Sequence, residues 1–588
     1  MKRALLILLI LVALVAWWAT GSHRAAPAYE PQATEAAPYP ADFQARLARV
    51  TGLRLDAAAP LPEHPIPWQS TGNQPTTGHR AARKGGRVRL SNAGPFPAHF
   101  LRFGGTAVQF FHQNLQAATE IPLVARHPLT QAPTAGVAEA WAIMGRTIYF
   151  RLNPAARYNN GRPVRAADYL LAALLQAEQR CSGHEQLAAA AESLRAHGEH
   201  LLSITMRGPA VDVVAAASLL LPAEPAFYRL FGSRFRETYA QRIPPATGPY
   251  RVSHVERGRL LELQRVHNWW GEDLPLYRHR FNADALEYHF LTSEAQVWEF
   301  FLRGKLDALQ TRNIAAWQER LTPHAELPTL VYDAEYPLPP YGIALNTLTL
   351  PDAELRRGLL QAMDMDKAMQ QMQRGEGQRL RTFSSGYGKL TPSNTPQYAY
   401  APEAARSCFT RAGYTIIGQD GILQRPDGTR LSVTLLYSPH EKISALLGVL
   451  VRSAARCGAE IVLEPAPWQV CQRKLQKRSH QLVFWAVPAP ETPNPALFFA
   501  PDAAPDFAPF ALNSPGMNEA LARFDARPCA ENLAEIDRLV HDLAIWLPGW
   551  KENRVYLVHH PRLRIPASPW CFDALDAHLF WVDSAATP

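Results

Sequence analysis

Apolar residues recur with a helical period between residues 440 and 458. The spacing is that of an amphipathic helix, and the apolar positions are Ile443, Leu446, Leu447, Leu450, Val451 and Ala454. The runs at 431–437 and 461–463, on either side, are short, rich in Leu, Val and Ile, and typical of strands. The order strand, helix, strand predicts a β-α-β unit and therefore an α/β fold.

The same patterns predict elements along the rest of the chain. Strands are predicted at 87–90, 147–152, 202–206 and 555–559 and a hairpin at 247–263, and helices at 169–177, 297–302, 352–369 and 531–546. Asp352 is expected to cap the third of these helices. Residues 25–83 are rich in Ala, Pro and Thr, which predicts an extended leader with one short helix at 42–50.

A proline-rich segment at 485–499 follows the β-α-β unit. It contains four prolines and one charge, Glu491, and it is framed by Trp485 on one side and by Phe498 and Phe499 on the other. Proline fixes φ and lacks an amide donor, which excludes an interior helix or a central strand. Because the aromatic ends favour burial, we expect a rigid loop that forms one wall of a binding site.

Length and charge narrow the class of protein. A chain of 588 residues is too long for one core, so two or three domains are expected. The net charge of +8 is spread without a run of five basic residues, which argues against nucleic acid as a partner. Lys2 and Arg3 precede an uncharged apolar run at 4–19, typical of a secretory signal. That run is shorter than the roughly 20 residues of a spanning helix, and an uncleaved anchor is the alternative.

Motifs of enzymes and metal sites are missing from the sequence. There is no HExxH, GxSxG or P-loop, and Gly375-Glu376-Gly377 lacks the third glycine of a dinucleotide site. His559-His560 is interpreted as the end of an edge strand. The six cysteines, at 181, 408, 457, 471, 529 and 571, form no CxxC pair; they either form disulfides, in one of fifteen connectivities, or are small buried residues. We expect no catalysis, no cofactor and no metal.

Several segments in order resemble the family 5 extracellular solute-binding proteins of peptide ABC importers. They are Ala-Glu-Ala-Trp at 138–141, Tyr-Asn-Asn-Gly-Arg-Pro-Val at 158–164 with Ala167-Asp168, Thr-Gly-Pro-Tyr at 247–250, Asn-Trp-Trp-Gly at 268–271, Gly-Lys-Leu-Asp at 304–307, the helix at 352–367 and Ala-Gly-Tyr at 412–414. Residues 267–277, 300–317 and 513–516 further resemble the Yej-type oligopeptide-binding subgroup.

The resemblance implies a two-lobed periplasmic binding protein-like α/β fold (type II, cluster C) with an extra subdomain in the first lobe. We expect a signal peptide or signal anchor at 1–28, the Ala/Pro-rich leader at 29–83, and lobe I at 84–312 with its inserted subdomain at about 106–205. Lobe II is expected at 313–547, and residues 548–588 return to lobe I.

The resemblance also implies a ligand site. Trp468 and Trp485 correspond to cleft tryptophans, Glu491 to the acid that holds the ligand ammonium, and Tyr437 and His440 follow a strand whose end lines the cleft. The alternatives are that the tryptophans are core residues and that Glu491 and His440 are solvated. The Yej-type subgroup generally lacks an acid at the position of Glu491.

The function implied is capture of peptides in a cleft between the lobes and delivery to an ABC permease in the inner membrane, by a periplasmic monomer. Two closing lobes exclude water from an extended peptide and strengthen its polar contacts. The alternative is a membrane-tethered or orphan receptor for cell-wall (murein) peptides or another small solute, which does not feed a transporter.

Overall fold

The fold is described from a computed structural model of the chain. It describes residues 39–583 except 93–95, 104–109, 129, 131, 209–211, 230–233, 292, 312–318, 334–339, 373–378, 394, 440, 487–492, 506, 552–553 and 567–576. Within these residues, no helix is both long enough and apolar enough to cross a membrane.

The first part of the chain contains fourteen strands and seven helices. The strands are β1 (Arg54–Asp56), β2 (Gln69–Ser70), β3 (Arg87–Asn92), β4 (Val124–Arg126), β5 (Pro133–Ala135), β6 (Ala138–Met144), β7 (Thr147–Leu152), β8 (Ala191–Ala196), β9 (Leu201–Met206), β10 (Tyr250–Glu256), β11 (Leu260–Arg265), β12 (Ala285–Phe290), β13 (Ala308–Thr311) and β14 (Thr329–Asp333). The helices are α1 (Phe43–Leu47), α2 (Phe110–Thr119), α3 (Ala166–Glu178), α4 (Ser182–Ala190), α5 (Val213–Ser218), α6 (Phe235–Tyr239) and α7 (Glu294–Leu302). These counts refer to the described ranges.

The second part contains the elements around the β-α-β unit. The strands are β15 (Tyr341–Leu345), β16 (Ile416–Ile417), β17 (Leu423–Gln424), β18 (Ser432–Tyr437), β19 (Glu460–Pro465), β20 (Leu482–Ala486), β21 (Trp546–Pro548), β22 (Arg554–His559), β23 (Leu563–Arg564) and β24 (Trp581–Val582). The helices are α8 (Ala353–Ala362), α9 (Met365–Met372), α10 (Pro402–Arg411), α11 (Glu441–Arg456), α12 (Trp468–Gln476), α13 (Ala496–Phe499), α14 (Pro515–Ala526) and α15 (Ala530–Asp542). Single 3-10 turns lie at Thr322–His324 and Gly388–Leu390.

Two sheets share the first core. One has the order β1-β8-β9-β7-β6-β2, the other β10-β11-β12-β3. Buried residues from Phe43 to Ala308 form one apolar cluster, which Leu563 and Phe580 rejoin from the end of the chain. Phe43 and Leu47 of α1 belong to this cluster, and β1 and β2 extend the six-stranded sheet. The folded part therefore begins before residue 84, within the segment that its composition assigned to a leader.

The second core surrounds a sheet with the order β19-β18-β20-β15-β21. Alternate residues of β18 point to opposite faces: Val433 and Leu435 join one buried cluster and Leu436 joins another. A three-stranded sheet, β13-β22-β14, connects the two cores, because β14 leads into β15 and β21 leads into β22. The chain thus passes between the cores twice.

Several predicted elements are confirmed, and two are corrected. The strand at 147–152, the helix α11 and its flanking strands lie where the pattern predicted them. The helix predicted at 352–369 is two helices, α8 and α9, with an interruption at Met363 and Asp364. At the interruption the amide of Asp364 donates to the Ser453 hydroxyl at 2.9 Å instead of to a carbonyl of the same helix. The helix predicted at 531–546 ends at Asp542, and Trp546 begins β21.

The Thr-Gly-Pro-Tyr and Asn-Trp-Trp-Gly motifs meet in the first core. The indole nitrogens of Trp269 and Trp270 both donate to the Thr247 carbonyl, at 2.8 and 2.9 Å. The Thr247 hydroxyl donates to the buried carboxylate of Glu120 at 3.2 Å. Gly248 lies so close to Thr119 that an added Cβ would be 2.5 Å from its carbonyl carbon. The motifs therefore stabilise the packing of the first core.

Candidate ligand-binding site

Three parallel strands end at one edge of the five-stranded sheet. β18 pairs in parallel with β19, where Tyr437 lies opposite Pro465, and in parallel with β20 on its other side. The carboxyl ends of the three strands therefore point to the same edge. Every site residue predicted from the sequence lies in the last two positions of one of these strands or within a few residues after it.

The helices after these strands cover opposite faces of the sheet. Helix α11 follows β18 and contributes Leu446 and Leu450 to the cluster on one face. Helix α12 follows β19 and contributes Cys471 and Leu475 to the cluster on the other face. Where the connections from neighbouring strands diverge in this way, the carboxyl ends leave a crevice that commonly binds ligands. We call the region between the ends of β18 and β19 the switch-point crevice.

Tyr437 is the last residue of β18 and packs in the buried cluster on the face covered by α11. Its side chain is buried, and its hydroxyl is 3.4 Å from the Ser444 hydroxyl oxygen of α11. Its carbonyl accepts the amide of Ala466 at 2.9 Å, which ties the ends of the two strands together. Tyr437 therefore positions the edge of the crevice.

Trp468 lies shortly after the end of β19. It is the first residue of α12 and its side chain is 45% exposed, which is unusual for so large an apolar residue. The Pro467 carbonyl accepts the amides of Val470 and Cys471, which fixes the first turn. A rigid turn thus holds an exposed indole beside the ends of the strands. The nearby Lys474 is paired with Glu464.

Trp485 lies in β20 and is only 3% exposed. It packs in the same buried cluster as Phe383, Phe499 and Trp546, on the face covered by α12. Opposite it in β15 is Gly342, whose missing side chain leaves room for Trp546. In this conformation Trp485 contacts the core, which is the alternative that the sequence left open.

The two remaining predicted residues lie outside the described part. His440 and Glu491 are each in one of its gaps. Phe498 and Phe499, at the far end of the proline-rich segment, are buried as expected from their apolar side chains. The role of Glu491 therefore stays a prediction.

A stack of three aromatic rings at the same edge was not predicted from the sequence. Tyr341 stacks on Trp550 with ring centres 5.1 Å apart, and on Phe484 with centres 6.0 Å apart. The amide of Tyr341 donates to the Trp550 carbonyl at 2.7 Å. Tyr341 begins β15 directly after one passage between the cores, and Trp550 precedes the other. Only the pairing of β15 with β20 and β21 brings these rings together.

Charged groups near this edge are partly desolvated. Arg379 donates to the Pro548 carbonyl at 3.0 Å and pairs with Asp366 at 3.2 Å, and burial lowers the pKa of its guanidinium. Asp537 accepts a hydrogen bond from the Thr382 hydroxyl, and burial raises the pKa of its carboxyl to about 7. Arg379 thus holds the segment after residue 378 against β21, and Asp537 holds it against α15.

The adjacent histidines His559 and His560 and most of the described cysteines are held within the packing of the protein. His559 Nδ1 and His560 Nε2 lie 3.0 and 2.9 Å from backbone carbonyl oxygens. Four of the five described cysteines, Cys181, Cys408, Cys457 and Cys471, are buried. These four agree with the interpretation of cysteine as a small apolar residue.

Comparison with known proteins supports the family that the motifs indicate. The profile of the bacterial extracellular solute-binding proteins, family 5 (middle region), matches residues 132–506. The uncharacterized protein YejA of Escherichia coli K12 is 25% identical over 261 residues, covering 41% of this chain and 39% of YejA. The peptidoglycan-binding protein YepA of Agrobacterium fabrum is 22% identical over 254 residues, 40% of each chain.

A solved structure shows the same fold. The oligopeptide-binding protein AppA from Bacillus subtilis, solved in complex with a nonapeptide, superposes with a TM-score of 0.64. The superposition covers 85% of this chain and all of AppA, at 12% sequence identity. At 12% sequence identity the superposition shows the fold alone, which is the two-lobed α/β fold.

The extent of the similarity differs between the comparisons. The chain spans about two-fifths of the length of the curated relatives named above. The family profile, by contrast, matches well over half of the 588 residues. The chain belongs to the bacterial extracellular solute-binding proteins, family 5, and the resemblance to the Yej-type subgroup agrees with its similarity to YejA.

Proposed function

We propose that this protein is the periplasmic binding component of an ABC importer and that it captures peptides between two lobes. The proposed lobes are residues 84–312, joined by α1, β1 and β2 from the preceding segment, and 313–547, with 548–588 returning to the first lobe. The observation that carries the proposal is the switch-point crevice. It opens at the edge of the sheet where the chain passes between the two cores, beside the exposed indole of Trp468.

The two passages of the chain between the cores suit a hinge. Capture begins in the open form, and closure then brings the first lobe against the crevice of the second. Closure is a shift in population, so the free energy of closing the lobes is subtracted from the free energy that the peptide gains in the closed site. The closed form is proposed to dock on a permease in the inner membrane.

An aromatic wall suits an extended peptide of varied sequence. A peptide backbone is recognised by main-chain hydrogen bonds, and flat rings contact its side chains without selecting one residue type. Trp468 offers such a surface, and the rings of Tyr341 and Phe484 are half-buried at the same edge. Glu491 remains our proposed partner for the ligand ammonium.

The test is calorimetry with a mixture of short peptides and with murein tripeptide. We expect Trp468→Ala to weaken binding by about 10- to 100-fold, the usual cost of removing an aromatic anchor. Its unfolding free energy should change by less than about 1 kcal/mol, because the indole is exposed.

Trp485→Ala is the matched comparison. Removing this buried indole should lower the unfolding free energy by about 3 to 5 kcal/mol. Unchanged peptide affinity in the folded Trp468→Ala protein would contradict the proposed site.

A second candidate function is binding of cell-wall peptides without import. The similarity to YepA, named as a peptidoglycan-binding protein, favours it. Mass spectrometry of the protein purified from its own periplasm under native conditions would distinguish the two. A retained murein peptide supports the second candidate, and a set of mixed peptides supports the first.

A further inference from the structure

Positive charge is concentrated in one short region of the first part of the chain. Residues 226–260 contain seven arginines, at 229, 234, 236, 242, 251, 257 and 259, and two acids, Glu237 and Glu256. The difference of seven and two is +5, compared with +8 for the whole chain. All of these arginines except Arg251 are exposed, and we call the six exposed ones the arginine face.

Hydrogen bonds join the two segments that carry the arginine face, the segment 229–242 and the turn between β10 and β11. Arg257, in the turn between β10 and β11, donates to the side-chain oxygen of Gln241 at 2.6 Å. Gln241 lies just after α6, and its side-chain nitrogen donates to the Ala98 carbonyl at 2.9 Å. Arg257 and Arg259 in the turn are thus held next to the segment that carries Arg234, Arg236 and Arg242.

Buried aromatic residues support the arginines from below. The Arg242 guanidinium lies over the rings of Phe227 and Tyr239, 4.7 and 5.3 Å from their centres. The amide of Arg229 donates to the Tyr239 hydroxyl at 2.7 Å. Phe227, Phe235 and Tyr239 are themselves buried. Two residues of the arginine face, Arg229 and Arg242, are thus held against a layer of buried aromatic rings.

Neutralisation by acids within the face is slight. Arg259 is paired with Glu256 at 2.8 Å, and Arg234 lies 3.9 Å from Glu237. Both pairs are exposed, and such pairs contribute little to stability. Most of the positive charge of residues 226–260 is thus left without an acid of the same segment.

We propose that the arginine face binds the phosphate groups of anionic phospholipids. Guanidinium groups bind phosphate oxygens in a bidentate manner, and a cluster of arginines near an anionic surface attracts it with roughly equal contributions from each charge. The proposal deepens the proposed function, on which it rests, because a periplasmic protein that delivers to a permease works next to the outer leaflet of the inner membrane.

The chemistry of the face favours lipid over an acidic protein. Stable protein interfaces have a central group of aromatic or apolar residues within a polar rim. Within the described residues 226–229 and 234–260, Phe227, Phe235 and Tyr239 are buried, and the exposed residues are charged, polar or glycine. A membrane of mobile anionic headgroups needs only such a charged surface.

The test is co-sedimentation of the purified protein with vesicles of phosphatidylcholine, with and without about one third phosphatidylglycerol. We expect binding only to the anionic vesicles, at low salt, with release at high salt. The triple variant R234Q/R236Q/R257Q should bind about 100-fold more weakly. The matched control, R49Q/R195Q/R452Q, removes three exposed arginines elsewhere and should bind like the wild type.

The outcomes separate this proposal from the proposed function. Equal binding by the triple variant and the wild type, or no preference for anionic vesicles, would overturn the lipid proposal. Binding to native membrane vesicles that is lost when their surface proteins are digested, without binding to lipid vesicles, would assign the face to an acidic protein instead and also overturn it. Peptide affinity measured by calorimetry in the triple variant should be unchanged, so a failure of peptide binding is detected independently.

Discussion

At the scale of single residues, the side chain of Asp307 joins three distant segments of the chain. It is fully buried, and its carboxylate accepts hydrogen bonds from the amide of Arg89 at 2.7 Å and from the guanidinium groups of Arg89 and Arg562. One carboxylate thereby joins β3, the start of β13 and the segment before β23. The sequence marked this residue only as part of a family motif. Its role depends on residues more than 200 positions away.

Asp307→Asn should destabilise the protein by about 3 to 5 kcal/mol, because it leaves two arginines without their buried counter-charge. The free energy of unfolding is measured by urea denaturation. The control is Glu299→Gln, which breaks the exposed pair with Arg303 and should cost less than about 1 kcal/mol. Equal effects of the two substitutions would contradict this account.

At the scale of elements, the central strands of the second sheet pack closely against each other. β15 lies between β20 and β21, and Gly342 is opposite Trp485 on one side and Pro548 on the other. An added Cβ at Gly342 would be 2.4 Å from the Trp546 ring and 2.5 Å from the Leu547 carbonyl oxygen. The glycine therefore allows the strand that follows the first passage between cores to pack against the strand that precedes the second.

Gly342→Ala should lower the unfolding free energy by about 1 to 3 kcal/mol through overpacking. Gly516→Ala is the control, because a Cβ at Gly516, in the first turn of α14, would meet no atom within 4 Å. It should be neutral or slightly stabilising. Thermal or urea unfolding of the two variants checks the difference, and a loss of stability confined to Gly516→Ala would contradict the packing argument.

At the scale of the whole molecule, buried carboxyl groups couple stability to pH. Burial raises the pKa of Asp168 and of Asp537 to about 7, from the ordinary value of 3.8. Asp168 accepts hydrogen bonds from the hydroxyls of Tyr39 and Tyr158, at 2.7 and 3.0 Å, so it links the beginning of the described chain to α3. At pH values between the ordinary pKa of 3.8 and the folded-state pKa of about 7, the folded state binds more protons than the unfolded chain. The contribution of these groups to stability therefore falls as pH rises from about 4 to 7.

Buried histidines act in the opposite direction. Burial lowers the pKa of His127, His480 and His559, so their contribution to stability rises as pH increases towards their ordinary value of 6.5. The wild-type profile is the sum of both effects. The contribution of one carboxyl group to this profile is therefore obtained by comparing the free energy of unfolding of the wild type with that of a variant that lacks the group.

Asp537→Asn should remove the part of the decrease in stability with rising pH that is due to the Asp537 carboxyl. We expect the free energy of unfolding of the variant, minus that of the wild type, to increase progressively as pH rises from about 4 to 7, so that the variant becomes relatively more stable. Asp502→Asn, at an exposed position, is the control and should parallel the wild type. Urea unfolding at a series of pH values makes the comparison. A constant offset for Asp537→Asn across this range would contradict a titrating carboxyl.

The sequence predicted local elements better than their ends or partners. Periodicity identified α11 and β7. The residue type of Asp352 before a helix identified it as a cap, and its carboxylate accepts hydrogen bonds from the amides of Glu354 and Leu355. Periodicity did not predict the break after Met363, since that depends on Ser453 in another helix. It also assigned Phe43 to a leader, because the partners of α1 and β1 lie more than a hundred residues along the chain.

What the sequence determined by itself is the set of local elements and the family. Apolar spacing, proline and glycine positions and ordered motifs act over a few residues, so they can be identified without a fold. The tertiary structure decided which residues meet. The parallel pairing of β18 with β19 and β20 places Tyr437 and Trp468 at one edge, buries Trp485 in the core, and adds the unpredicted ring stack of Tyr341. These are contacts between distant segments, and they exist only when strand order and register are set.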